Sequence, residues 1–436
     1  GLFPFLAEFS KPRKYTIEVE HNNFYGRPDS QIDIDPNEIK AFVDRLELQS
    51  RGKPIEIRDY QFDAVCEGLH RKRAVLISPT GSGKSLIIYT LVQRYLLSLR
   101  KANRKVLVIV PTTSLVEQMY NDFADYGMPV EDCVHRIYSG RDKETDKEII
   151  ISTWQSIYKL PPKWFEQFGA VIGDECHGFK SKSLTTIMDK CKEAEYRWGT
   201  TGTLDGSQTH ELVLQGLFGK IYNVTTTKKL QDEDTLAKLK ISILLLKYDE
   251  EIRRNWGKQD YQAELDFIVR NESRNKLISN LALDLDGNTL VLFNFVEKHG
   301  KPLFEMIRDK AHENRKIFFV SGETATSDRE AIRKIVEGQK NAIIVASLGT
   351  FSTGINIRNL HNIVFASPSK SQIRVLQSIG RGLRKSDDGS IAQLYDIADD
   401  LHWGHRKNYT LEHSAERVKM YAKQEFDYKI YEIDIK

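Results

Sequence analysis

Lys84 and Ser85 close the run Pro79-Thr80-Gly81-Ser82-Gly83-Lys84-Ser85, which follows the apolar stretch Ala74-Val75-Leu76-Ile77 and opens an amphipathic segment. Strand, glycine-rich turn and helix form the context in which backbone N–H groups cradle phosphate. Gly81 and Gly83 let the main chain approach an anion closely, and the positive end of the next helix points at it. Lys84 has the charge and reach for the outer phosphates, and Ser85 carries a hydroxyl suited to Mg²⁺. The loop predicts a nucleoside triphosphate, ATP, held by Thr80, Gly81, Ser82, Gly83, Lys84 and Ser85. Ser78 stands where the strict pattern asks for a glycine. The other glycine pair, Gly380-Arg381-Gly382, has no strand before it and completes no dinucleotide fingerprint.

A second group of reactive types is Asp174-Glu175-Cys176-His177, directly after Ala170-Val171-Ile172. The carboxyl end of a parallel strand faces a ligand crevice. Asp174 suits Mg²⁺, and Glu175 suits the orientation and deprotonation of an attacking water. Two acids after a strand are often only a solvated loop; the strand context, the distance from Lys84 and His177 favour catalysis. Cys176 reads as a small buried filler.

These residues require strands and helices to hold them. From 56 to 228, β-branched runs at 74–77, 106–110, 148–152, 170–173 and 196–200 alternate with helical patterns, one carrying the stripe Leu86, Ile87, Leu91, Tyr95 and Leu99. Such alternation builds a parallel sheet covered by helices. A polar stretch, 225–240, reads as a linker. Alternation resumes across 229–436, with strand candidates at 241–246, 290–293, 316–320, 342–346, 362–366 and 392–396 but no second phosphate loop. The expectation is α/β: two parallel-sheet domains in tandem with ATP in the cleft between them. Residues 1–55 read as the end of an N-terminal accessory domain, with Tyr15, Ile17 and Val19 alternating as a strand and Asp35-Pro36 starting a helix.

The chain has 436 residues, 40% hydrophobic and 29% charged, at a net charge of +3. This length predicts two to three domains at roughly 150 residues each. No apolar run approaches the ~20 residues that span a bilayer. Cys66, Cys133, Cys176 and Cys191 lie far apart, without the pairing of a zinc or disulfide framework. With no secretory leader after Gly1, a reducing, cytoplasmic setting is expected, the host cytoplasm if the source is viral. The absent initiator Met predicts that the chain begins inside a longer protein. The nearly balanced charge neither demands nor excludes nucleic acid.

Further motifs complete an ordered series from Arg58 to Arg384, and in that order the chain resembles a superfamily 2 helicase. Arg58-Asp59-Tyr60-Gln61 resembles the family's adenine-recognising motif, implying that Arg58 and Gln61 contact nucleotide. Pro111-Thr112-Thr113 and Ser152-Thr153-Trp154-Gln155-Ser156 resemble its strand-backbone contacts, implying nucleic-acid binding by Thr112, Thr113, Thr153 and Ser156. Thr201-Gly202-Thr203 occupies the place of the coupling motif, with His177 and Gln377 as further coupling residues. Val345-Ala346-Ser347 with Thr350, Thr353 and Gly354 resembles the motif that touches nucleic acid and nucleotide. Gln377-Ser378-Ile379-Gly380-Arg381-Gly382-Leu383-Arg384 resembles the arginine-finger motif, so Arg381 and Arg384 are expected to stabilise the transferring phosphoryl group. Asn356 stands where many relatives have Asp, which puts a ribose contact in doubt.

The resemblance implies that the two tandem domains are RecA-like and that the chain is an ATP-dependent, Mg²⁺-using helicase that moves on single-stranded and branched DNA, remodelling forks, four-way junctions and DNA–RNA hybrids in recombination, repair and replication. A double-strand translocase and a dedicated RNA helicase are alternatives the motifs leave open, with RNA a further possible partner. A monomeric motor moving 3′ to 5′ is expected. Trp154 is read as core in preference to a base-stacking platform, the segment 411–436 as packing on the second domain, and that domain as carrying a C-terminal helix.

Overall fold

The computed structural model describes residues 2–18, 32–79, 81–138, 140–202, 204, 208–226, 229–230, 239–257, 259–350, 359–368, 392–423 and 425–435. The chain divides into two compact units, Gly1–Thr226 and Thr227–Lys436.

The first unit is built on β1 (Arg73–Ile77), β2 (Lys105–Val110), β3 (Val134–Ile137), β4 (Ile149–Thr153), β5 (Phe168–Asp174), β6 (Tyr196–Thr201) and β7 (Lys220–Asn223). They form a parallel sheet in the order β3-β4-β2-β5-β6-β1-β7. Every residue of β5 is buried, as a sheet covered on both faces requires. Val75, Leu107, Ile150, Val171 and Phe218 belong to one apolar core. Each such fully buried side chain contributes about 1.5–3 kcal/mol.

The second unit repeats this plan with β8 (Leu239–Tyr248), β9 (Thr289–Phe293), β10 (Ile317–Val320), β11 (Ile343–Ser347), β12 (Asn362–Phe365), β13 (Ala392–Asp400) and β14 (Asp427–Ile435). Its parallel sheet runs β10-β11-β9-β12-β13-β8-β14. Counted from the first strand of each unit, the two orders are the same. The expected tandem of parallel α/β sheets is therefore present.

Several local expectations are corrected. Tyr15 and Ile17 lie in irregular chain, and Val19 lies outside the described residues. Among the described residues no strand pairs with Tyr15 or Ile17, and an unpaired extended segment does not hold as a strand. The expected C-terminal helix is Tyr409–Lys423, and it is followed by an unforeseen strand, β14, which pairs with β8 at the sheet edge. The stretch read as a linker gives Leu239 and Lys240 to β8. By contrast, Asp35 does cap the helix Pro36–Asp44, accepting a 2.9 Å hydrogen bond from the Asn37 N–H. Residues near this helix are fastened to the first unit: the Ile32 N–H donates to the His70 carbonyl at 2.8 Å, and Ser50 Oγ donates to Asp125 Oδ2 at 2.7 Å.

Candidate active site

Three adjacent strands deliver the reactive groups to one end of the first sheet. β1 runs into the glycine-rich loop, β5 ends at Asp174 and β6 ends at Thr201; β6 lies between the other two, with Asp174 paired to Thr200 and Ile77 to Thr201. The Ser78 N–H donates to the Thr201 carbonyl at 2.8 Å, prolonging the ladder into the loop.

The loop folds as its glycines allow. Gly81 and Gly83 take φ of 85° and 80°, left-handed values that a side chain resists. Gly83 also answers to space: a Cβ there would meet Gln61 Nε2 at 2.3 Å. That amide is an internal strut. Gln61 Oε1 accepts from the Arg58 N–H at 2.9 Å, while Nε2 donates to the Ser82 carbonyl at 2.7 Å. Ser78 sits 2.5 Å from Ser82 Oγ, which donates to the Pro79 carbonyl at 2.6 Å. The serine in the place of the usual glycine thus braces the loop from beneath. The Ser82 hydroxyl is turned inward and buried. Thr80 lies outside the described residues.

Lys84 begins the helix Lys84–Arg94, and its Nζ lies 3.1 Å from Glu175 Oε1. Burial pulls the ammonium down, but Glu175 and Asp174 outweigh it, so its pKa is raised. Glu175 shows the opposite balance: burial raises it, while Lys84 and then His177 hold it well below the carboxylate range. For Asp174, burial and the Glu175 charge together raise the pKa. Its Oδ1 accepts a hydrogen bond from Thr200 Oγ1 at 2.8 Å. Two neighbouring carboxylates are driven apart, the condition under which acid and base roles separate.

Glu175 has left-handed φ and ψ of 49° and 47°, an uncommon state for a residue with a long side chain. Its Oε2 is buried without a hydrogen bond and lies 3.3 Å from His177 Nδ1. His177 Nδ1 hydrogen-bonds Thr201 Oγ1 at 2.9 Å, and the His177 carbonyl lies 2.9 Å from His210 Nε2. Beneath the strand ends, Phe179 and Phe218 pack edge to face at 5.0 Å, against the position where a Cβ on Gly173 would stand.

The remaining expected site residues are placed as follows. Thr112 caps the helix Thr113–Asp125, its hydroxyl accepting from the Leu115 N–H at 3.4 Å, and Thr113 is exposed on the first turn. Thr153 Oγ1 and Ser156 Oγ are 2.9 Å apart. Trp154 is half-buried against the core and meets Tyr158 edge to face at 5.9 Å. In the second unit, the buried Thr350 accepts from Ser347 Oγ at 2.6 Å. Thr203, Thr353, Gly354, Gln377, Arg381 and Arg384 lie outside the described residues. Sequence reasoning did not find Thr200, Tyr126 or Ser78 as partners of these groups. Thr200 was within reach, being the neighbour of Thr201 on a recognised strand; Tyr126, whose phenol oxygen lies 2.8 Å from Ser85 Oγ, depends on a fold-back of 41 residues that no local pattern announces.

A sheet of this order with a phosphate loop at a strand end, followed by a second sheet of the same order, is the architecture of a helicase motor. Residues 54–206 match the family described as type III restriction enzyme, res subunit, and residues 272–386 match the helicase conserved C-terminal domain. The chain is 36% identical over 420 residues to the ATP-dependent DNA helicase UvsW of Enterobacteria phage T4, covering 92% of this chain and 82% of that protein. It is also 23% identical to the DNA 3′-5′ translocase XPB2 of Sulfurisphaera tokodaii, over 86% of each chain. Among solved structures, Saccharomyces cerevisiae Dbp5 bound to RNA and ADP BeF3 aligns with a TM-score of 0.56 at 11% identity, covering 90% of this chain and 95% of that one, a likeness of fold. The chain belongs to the UvsW family of ATP-hydrolysing helicases. Among the described residues no helix is long and apolar enough to cross a membrane.

Proposed function

We propose that this helicase uses Mg²⁺·ATP to move on DNA and to remodel forks, four-way junctions and DNA–RNA hybrids in recombination, repair and replication. The observation that carries the nucleotide chemistry is the 3.1 Å pairing of Lys84 with Glu175 beside the glycine loop, with Asp174 at the neighbouring strand end. Hard oxygen donors suit Mg²⁺, which is commonly held by one or two carboxylates together with phosphate oxygens. Asp174 and the Ser85 hydroxyl supply that chemistry. Lys84 is the partner for the outer phosphates. Its move from Glu175 to phosphate removes the charge that depresses the Glu175 carboxylate, so the base strengthens when substrate arrives. Glu175 then takes the proton of the attacking water, and Arg381 and Arg384 stabilise charge on the transferring phosphoryl group. His177 and Thr201, joined at 2.9 Å, relay the state of Glu175 to the coupling motif.

DNA as the polymer is supported by 36% identity to a protein named as a DNA helicase. Thr112, Thr113, Thr153, Ser156, Thr350 and Thr353 are proposed to hold phosphates without reading bases, so binding is sequence-independent and salt-sensitive. A double-strand translocase that separates no strands is the second reading, favoured by likeness to a protein named as a translocase. Strand displacement on forked duplexes distinguishes the two.

The decisive experiment for the site is Glu175→Gln. The amide keeps the shape and loses the base, so ATP and DNA binding persist while hydrolysis falls by about 10²–10⁴-fold. Normal hydrolysis in this variant would remove Glu175 from the reaction.

A further inference from the structure

Two hydroxyls on the helix Lys84–Arg94 behave differently. Thr90 Oγ1 donates to the Leu86 carbonyl at 2.8 Å, the usual back-bond of a helical hydroxyl. Ser85 Oγ instead lies 2.8 Å from the phenol oxygen of Tyr126. Tyr126 ends the helix Thr113–Asp125 and is held on several sides. Its ring packs edge to face on Tyr89 at 5.3 Å, and Tyr89 Oη donates to the Tyr126 carbonyl at 3.4 Å. The preceding residue is fastened too: Asp125 accepts from Ser50 Oγ at 2.7 Å and from the Arg51 N–H at 2.6 Å. The phenol is thus a fixed feature of the site.

A hydroxyl that ligates a cation through a lone pair must send its proton elsewhere. We propose that Tyr126 is a positioning residue for the divalent cation: its phenol oxygen accepts the Ser85 proton and leaves a Ser85 lone pair for Mg²⁺. Partners behind a ligand fix its orientation, and losing one commonly costs about 10–100-fold in metal affinity. The inference rests on the reading of Ser85 as a cation ligand.

Tyr126→Phe keeps the ring and removes only the acceptor. Calorimetric titration of the full chain with ADP, with and without Mg²⁺, is the test. The metal-free affinity is expected to hold within about twofold, while the gain that Mg²⁺ confers falls about tenfold, and the Mg²⁺ concentration for half-maximal ATP turnover rises in step. An unchanged Mg²⁺ response overturns the proposal, as does an equal loss with and without metal, which would mark Tyr126 as packing alone. Ser85→Ala separates the two levels. If it leaves the Mg²⁺ response intact, the reading of Ser85 fails; if it lowers the response, Tyr126→Phe added to it must bring no further loss, since the shared hydroxyl is gone.

Discussion

In the first unit the buried Asp174 and the half-buried Glu175 stand side by side at a strand end and share one lysine. In the second, Asp396 and Asp399 lie within β13, and each has its own arginine and tyrosine. Arg417 holds Asp396 through Nε and Nη2 at 2.9 and 2.8 Å, with Tyr421 Oη donating at 2.9 Å. Arg274 holds Asp399 through Nε and Nη2 at 2.7 and 3.0 Å, with Tyr248 Oη donating at 2.8 Å. The arginines are raised because their aspartates outweigh the effect of burial. The same strand order therefore carries two uses of buried charge. Paired one to one, charge locks a core; crowded two to one at a strand end, it leaves the excess negative charge that the proposed cation and phosphate chemistry calls for.

The comparison breaks first at Arg274. It is fully buried, so Arg274→Ala leaves Asp399 charged without its partner. The expected loss is about 3–5 kcal/mol in the unfolding of the second unit, read from denaturant titration. Replacing both partners, Arg274→Met with Asp399→Leu, should recover most of it, because the pair repays little beyond its own desolvation. A shift below about 1 kcal/mol for the alanine variant would mean that the pair does not lock the core.

Much of this architecture was legible in the sequence. Eleven strands have apolar, β-branched runs that announce them, and the phosphate loop and Asp174-Glu175 sit at their ends. The strands that escaped notice are β3, β7 and β14. β3 reads Val-His-Arg-Ile, with half-buried polar residues between two buried ends, and β14 is exposed over most of its length. Edge strands cover less apolar surface, so their sequences carry less of the pattern. The charged core of the second unit was also hidden. Arg274 and Asp399 are 125 residues apart, and a surface ion pair and a buried one look alike until the fold brings them together.

The second break falls in the first unit, at Gly83. Gly83→Ala places a methyl 2.3 Å from Gln61 Nε2 and keeps φ at 80°. Left-handed strain costs about 1 kcal/mol, and displacing the Gln61 amide from the Ser82 carbonyl costs about 1 kcal/mol more. Their sum, about 2 kcal/mol, predicts a nucleotide affinity lowered about thirtyfold. Gly52 is the control, since its φ is 70° but nothing lies within 4 Å of a Cβ. If Gly52→Ala and Gly83→Ala weaken nucleotide binding alike, the strut between Gln61 and the loop is not what shapes the phosphate site.

The smallest effect sharpens the contrast through pH. His299 is buried in the second unit, with Nδ1 2.8 Å from Ser367 Oγ and Nε2 without a hydrogen bond. Burial, and then the Arg274 charge, depress its pKa to about 3. The folded unit therefore keeps the ring neutral where an unfolded chain would protonate it. Between the ordinary histidine value of about 6.5 and the folded one, the unfolded state binds the extra proton, so stability rises with pH. The contribution is fully present above about pH 6.5 and is lost as pH falls, by about 1.4 kcal/mol at about pH 5.5. His299→Gln keeps a hydrogen-bonding group beside Ser367 and cannot titrate, so the slope of stability against pH over this window should flatten in denaturant unfolding of the variant. An unchanged slope would assign the acid sensitivity to the carboxylates and leave His299 as a neutral filler beside Arg274.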